Sequence, residues 1–418
     1  MNDLVKIRDT CRLCGSHRLT LSVPLPAVPI VSTNVGKVDE RDAGVAARLS
    51  APLDTYLCQE CGLIQLIHVV DPALIYHNYL YTTSLSLGLA DHFRGLRDAV
   101  LTRLGLPAGS LVVEFGSNDG TLLGFFQQSG MKVVGIDPAE AIAAEATRKG
   151  VPTFADFFGS RVAETLRTQY GPAKVIIANN AMANIDDLDD ILRGITALLD
   201  SDGVFAFETQ YALDVFEKTL IDVIYHEHIS CFSVQPVERA FRRYGLEVVD
   251  AEPIATKGGS IRFWIQRIGG SRPVADRVQA LIERESRSGL YDLAYHARLT
   301  RKIESVRSTL HDMIRNTKAA GGRVAAYGIS VGGVALIHQF ELADKLDFLL
   351  DDKPMKDRLV GPDYSLPIYT AEGVYSQSPS LIIILAWRYA EPIVAKHQRY
   401  MDAGGKFAVP LPEVRMLP

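Results

Sequence analysis

Leu111-Val-Val-Glu114-Phe-Gly116-Ser-Asn118-Asp119-Gly120-Thr-Leu-Leu123 joins an apolar run, an acidic residue at its end and a glycine turn that leads into a helix. The run Leu111 to Glu114 reads as a buried strand. The glycines allow a tight turn and a close approach of backbone to a ligand. Their spacing, Glu-x-Gly-x-x-x-Gly, is not the Gly-x-Gly-x-x-Gly of dinucleotide sites. Working outward, Lys132 to Ile136, Lys174 to Ile177 and Val204 to Phe207 are further strand-like runs, separated by amphipathic stretches. That alternation, from about Asp71 to Gly270, predicts parallel strands joined by helices. Ala275 to Lys318 is polar, charged and helical in period, and predicts one or two long linking helices. After Gly321 the alternation restarts with Arg323 to Tyr327, Leu346 to Leu350 and Leu381 to Ala386, a second and smaller α/β unit. No internal repeat survives residue-by-residue comparison.

A chain of 418 residues exceeds one ordinary core, so two or three domains are expected. With 47% hydrophobic and 22% charged residues it is globular in composition. A formal charge of -5 gives no general attraction to nucleic acid or to an anionic membrane. The first ten residues lack an apolar signal-peptide core, and Leu381 to Trp387 is too short to cross a bilayer. These features predict a cytoplasmic protein without nucleic-acid or membrane partners, a monomer or weak homo-oligomer.

Cys11-Arg-Leu-Cys14-Gly15 and Cys58-Gln-Glu-Cys61-Gly62 account for four of the five cysteines. A two-residue gap lets both sulfurs of a pair reach one ion, and the glycine permits the turn that follows. Without a secretion signal this pattern favours a metal over disulfides. Cys11, Cys14, Cys58 and Cys61 therefore predict a four-thiolate zinc site, closed to substrate and structural. The surrounding Pro-rich segment, residues 9 to about 72, shows little periodicity and buries too little apolar area to fold without such a staple. A zinc-ribbon transcription factor is disfavoured by the absence of basic clusters.

The 111–123 stretch resembles motif I of Rossmann-like methyltransferases, in which the turn cradles S-adenosylmethionine. That resemblance implies cofactor contacts from Glu114, Gly116, Asn118 and Gly120. Ligands of such sheets sit beyond the carboxyl ends of the strands, at the switch in strand order. Asp137, ending the second strand about 20 residues after the turn, suits a pair of ribose hydroxyls. Asp156 falls where the third strand should end and suits the adenine amino group; its other reading is a turn before a core aromatic. Asn179 and Asn180 end the fourth strand, facing the same crevice.

Tyr225-His226-Glu227-His228-Ile229-Ser230-Cys231-Phe232-Ser233 places four polar, titratable groups in succession, which core packing does not require. A solvated helix end is one reading. A metal site is another, but no third ligand is evident. Base chemistry fits better, because histidine titrates near neutral pH and a neighbouring carboxylate stabilises its charged form. Here the chain resembles the nucleotide-sugar C-methyltransferase family, with its Tyr-His-Glu-His-x-Ser-Tyr-Phe-Ser signature, N-terminal four-cysteine zinc region and C-terminal α/β domain. The resemblance runs from Cys11 to Pro410-Leu-Pro412. It implies a Rossmann-like methyltransferase domain at 73–300, a zinc-binding domain at 1–72 and a Rossmann-like nucleotide-binding domain at 301–418. It also implies that His228 removes a proton beside a sugar ketone, supported by Glu227, Tyr225 and His226, and that the enolate attacks the sulfonium methyl. The implied substrate is a nucleotide-diphosphate keto-deoxysugar.

Other positions match family segments near substrate: Tyr79 and Tyr81 in Tyr-Leu-Tyr-Thr-Thr-Ser84; Ser260 and Arg262 in Gly-Gly-Ser-x-Arg; Lys356 in Asp351-Asp-Lys-Pro-Met-Lys. Asn184 stands where relatives often carry histidine, Cys231 where the signature has tyrosine, and the loop Gly328 to Gly332 lacks a common lysine. The first two alter the sugar pocket and the third alters phosphate binding. Two other readings stand beside this one: methylation of oxygen, nitrogen or a non-sugar carbon acid, and a non-catalytic nucleotide-binding protein or NAD-dependent oxidoreductase using the C-terminal glycine loop.

Overall fold

The computed structural model describes residues 4–30, 50–76, 83, 88–353 and 366–417. Tyr79, Tyr81 and Lys356 lie outside them. The motif strand, Leu111–Phe115, is in the middle of a seven-stranded sheet. Its order is Thr153–Phe154, Lys132–Ile136, Leu111–Phe115, Ala173–Asn179, Leu199–Gln210, Ser260–Arg267, Leu246–Ile254. The first five run parallel, and Ser260–Arg267 is antiparallel to both its neighbours. Strands buried on both faces read as unbroken apolar runs rather than alternating ones. Accordingly Leu111, Val113 and Phe115 enter one core, and Val112 enters another on the opposite face.

From Leu111–Phe115 the chain winds outward to one edge, then returns to place Ala173–Asn179 on the other side. The switch in order therefore falls between those two strands, and the crevice outside their carboxyl ends is where a ligand belongs. Gly116 turns there with φ 69°, and a Cβ at that position would lie 2.8 Å from the Cβ of Ala181.

The N-terminal segment has more regular structure than its sequence predicts. Leu19–Val23, Thr55–Cys58 and Ile64–Leu66 form an antiparallel sheet whose fourth strand, Ser230–Cys231, comes from the histidine segment. The linking helices are Asp276–Ser288 and Leu293–Ala319, as the periodicity predicts. The second buries Leu299, Ile303, Val306, Leu310 and Ile314 along one stripe, and its His296 hydrogen-bonds Ser22 of the zinc region. Beyond it, Val324–Tyr327 is central in a six-stranded sheet with Phe348–Asp351 and Leu381–Ile384 as parallel neighbours. Among the described residues no helix is long and apolar enough to cross a membrane.

Candidate active site

The four predicted zinc ligands converge. Their sulfurs all lie within 4.8 Å of one another, with Cys11–Cys61 at 3.7 Å and Cys14–Cys58 at 3.6 Å. A tetrahedral ion with Zn–S bonds of about 2.3 Å needs sulfurs about 3.8 Å apart. Two identical turns build this arrangement: Gly15 N–H donates to the Cys11 carbonyl and Gly62 N–H to that of Cys58, both glycines at positive φ. All four cysteines are free thiols. The donor set and its spacing fit zinc.

At the sheet crevice, Glu114 is buried at the strand end and burial holds its carboxyl well above the usual range, with Asp137 and Asp119 adding repulsion. Its Oε2, the Ser117 Oγ and the Asn179 Nδ2 are buried without a hydrogen-bond partner among the described residues. Such groups are costly unless something satisfies them. Asp137 accepts from the backbone N–H of Asn118 at 2.8 Å and of Ala139 at 3.0 Å, which partly offsets the upward push of burial on its carboxyl. Gly120, at φ 73°, packs on Val151. Glu114, Gly116, Asn118, Gly120, Asp137 and Asn179 thus share one polar cradle, and the unsatisfied groups fit a bound polar cofactor. Asp156 is half-exposed beside it: its N–H and that of Asp137 both donate to the Phe154 carbonyl, and its carboxylate accepts from the N–H of Phe157 and pairs with Arg161 at 2.6 Å.

The histidine segment divides. His228 donates from Nδ1 to the Val223 carbonyl at 2.8 Å, which leaves Nε2 as the acceptor; the Tyr225 hydroxyl lies 3.0 Å from it. The two rings are 4.1 Å apart between centroids. Burial lowers the imidazole pKa to about 3, nearby Lys257 pushes the same way, and the Val223 carbonyl opposes them. Burial raises Tyr225 well above its usual range, with Glu227 adding to it, so the phenol keeps its proton. Glu227 also acts electrostatically on Tyr76 and Lys257. His226, by contrast, turns away: it is buried and hydrogen-bonds the carbonyl of Ala51 at 3.0 Å. The turn Tyr225–His228, closed by the His228 N–H on the Tyr225 carbonyl, sends this ring to the side of the zinc region, where it packs.

Arg262 is likewise taken up by the protein. It is buried and forked onto Glu208, Nε–Oε1 at 2.6 Å and Nη2–Oε1 at 2.5 Å, while His92 holds Glu208 Oε2 at 2.6 Å. Ser260 donates to the Thr256 carbonyl at 3.0 Å. Asn184 faces the hydroxyl of Tyr76, itself near Glu227 and Asp137, so this amide borders the same crevice. Sequence reading passed over Tyr76, His92, Glu208, Asp222, Lys257 and Arg388. One signal was available: Glu208 ends an apolar strand just as Glu114 does.

The C-terminal glycine loop packs against the turn that carries Asp222. A Cβ on Gly332 would lie 2.5 Å from the Asp222 carbonyl oxygen, and the Ser330 hydroxyl caps the N–H of Gly333.

Three family models match the chain in succession: a zinc-binding domain over residues 11–76, a methyltransferase domain over 89–251 and a C-methyltransferase C-terminal domain over 255–412. The chain is 33% identical over 418 residues to C-methyltransferase NovU of Streptomyces niveus, covering all of this chain and 99% of that one. Two solved structures are similar over part of the chain. Magnesium protoporphyrin IX methyltransferase (ChlM) of Synechocystis PCC 6803 is 14% identical with a TM-score of 0.35, covering 48% of this chain and 98% of that one. The PH0226 protein of Pyrococcus horikoshii OT3 is 11% identical with a TM-score of 0.37, covering 47% and 98%. The match to the relative is end to end, and the cysteine cluster, the motif-I cradle and the paired α/β sheets occur in the same order as the three domain models. The chain belongs to the C-methyltransferase family, as an S-adenosylmethionine-dependent enzyme with a structural zinc site.

Proposed function

We propose that the protein methylates a carbon next to the ketone of a nucleotide-diphosphate keto-deoxysugar, with His228 as the base. The observation that carries this is the orientation of one ring: with Nδ1 donating to the Val223 carbonyl, Nε2 is the lone-pair nitrogen and the phenol of Tyr225 stands beside it. Nε2 takes the proton on carbon. The Tyr225 hydroxyl then swings its proton from Nε2 to the enolate oxygen as charge develops there. Glu227, next in the chain, stabilises the imidazolium that forms. A buried ring gives up basicity but stays neutral, and so ready to accept, at any ordinary pH. S-adenosylmethionine supplies the electrophilic methyl, held by Glu114, Asn118, Asp137 and Asn179 around the Gly116–Gly120 turn; positioning does most of the rest.

The division into 1–72, 73–300 and 301–418 belongs to the same proposal, as do sugar contacts from Tyr79, Tyr81 and Asn184 and a phosphate contact from Lys356. Arg262 and Ser260 then shape the pocket from behind. The support for carbon as the methyl acceptor is the end-to-end similarity to a C-methyltransferase together with the His228–Tyr225 pair, and the sugar follows from the resemblance of the 225–233 segment to the nucleotide-sugar family signature. The test is product analysis: labelled methyl from S-adenosylmethionine should appear on a carbon beside the ketone. Label on oxygen or nitrogen would favour the other methyl-acceptor reading.

A further inference from the structure

Four groups of the C-terminal α/β unit converge on the short turn Ile221–Val223. Arg388 grips the buried carboxylate of Asp222 with both terminal nitrogens, Nη1–Oδ2 at 2.7 Å and Nη2–Oδ1 at 3.0 Å. Trp387 adds a bond from Nε1 to Oδ2 at 3.2 Å. Gln339 donates to the Ile221 carbonyl at 3.3 Å. Gly332 approaches the Asp222 carbonyl so closely that no side chain fits between them. The very next carbonyl, that of Val223, is the one that receives the Nδ1 proton of His228.

We infer that Arg388 and Asp222 are a positioning pair for methyl transfer, holding the turn so that the Val223 carbonyl fixes His228 as its Nδ1–H tautomer and aims Nε2 at substrate. The inference rests on His228 being the base. An ordinary inter-domain ion pair needs only charge, whereas this one is forked, buried on the carboxylate side and reinforced by an indole. Burial pushes the Asp222 carboxyl up and Arg388 pulls it back, so the carboxylate depends on that guanidinium. Trp387 and Arg388 follow the strand Leu381–Ile384, next to Val324–Tyr327 at the switch in strand order of the second sheet. The C-terminal unit thereby becomes part of the catalytic apparatus.

The test uses the full-length, zinc-loaded protein and the variants Asp222→Asn, Arg388→Lys and Asp222→Asn/Arg388→Gln. Nitrogen-15 NMR of ring-labelled histidine, with His228→Gln identifying the resonances, reads the tautomer without any substrate. Each variant should lose the pure Nδ1–H form and lower kcat about 10- to 100-fold, with the Kd for S-adenosylmethionine changed by less than about twofold. The double variant leaves no charge buried alone, so it should recover Tm while kcat stays low. A tautomer unchanged in all three variants, or a kcat that returns together with Tm, overturns the inference and leaves a structural ion pair. Wild-type turnover by His228→Gln would instead overturn the base assignment itself, whatever the other variants do.

Discussion

Arg12, between the two cysteines of the first knuckle, donates from Nη1 to the carbonyl of Ile229 at 2.5 Å, one residue beyond His228. A second donor, Nη2, reaches the Leu66 carbonyl at 2.7 Å, and Gln65 and Asp186 complete the cage. The zinc knuckle and the proposed base are thus two short links apart.

Stripping zinc with a strong chelator should therefore silence methyl transfer without touching the cofactor crevice. Arg12→Met should act in the same direction, lowering stability by about 2–4 kcal/mol, since several buried acceptors lose their donor at once. Metal content, thermal melting and activity measured together check this. Full activity in metal-free protein would separate the zinc region from catalysis.

Gly116→Val tests the cradle. The position has φ 69°, and even a Cβ would meet Ala181 at 2.8 Å, so a branched side chain must distort the turn. Calorimetry should show S-adenosylmethionine affinity falling by more than about 100-fold, with the circular dichroism spectrum retained. Unchanged affinity would place the cofactor elsewhere.

Arg262→Met is expected to act through stability rather than substrate affinity. Among the described residues it leaves the buried Glu208 with His92 as its one ion-pair partner, at a cost of about 3–5 kcal/mol. Thermal melting should drop by several degrees, and Arg262→Met/Glu208→Gln should regain much of the loss. A raised KM with unaltered melting would make Arg262 a substrate contact after all.

How much of this was legible beforehand depended on whether a residue's partner lies near it in the chain. The strands at Leu111, Lys132 and Lys174 announce themselves because burial on both faces demands unbroken apolar runs. Leu246–Ile254 and Ser260–Arg267 do not, because they carry Asp250, Glu252 and Arg262. Those charges are neutralised by Arg103, Arg277 and Glu208 from distant elements, including Arg103–Asp250 at 2.6 Å. The short strands of the zinc region were hidden for a related reason: Ile64–Leu66 pairs with Ser230–Cys231, more than 150 residues away. In the site, the cysteine quartet and the motif-I cradle follow from local spacing. The separate fates of His226 and His228 do not, since Ala51 and Val223 decide them.

His226 also gives a pH prediction. Burial lowers its pKa from 6.5 to about 4, so between those values the folded chain binds fewer protons than the unfolded one. Its contribution to stability is then complete above pH 6.5 and is lost as pH falls toward 4. His226→Gln keeps a donor for the Ala51 carbonyl but does not titrate. The advantage of wild type over this variant, measured by thermal melting, should shrink on going from about pH 7.5 to about pH 4.5. An advantage that grows on acidification would mean that the ring is charged in the folded protein.

The proton on carbon is the heart of the proposal, and its removal can be watched without methyl transfer. A nucleotide keto-sugar is held in D2O with the enzyme and S-adenosylhomocysteine, and the NMR signal of the hydrogen beside the ketone is followed. Wild type should exchange it, and His228→Ala should do so at least about 100-fold more slowly. Exchange by His228→Ala at the wild-type rate would contradict the account.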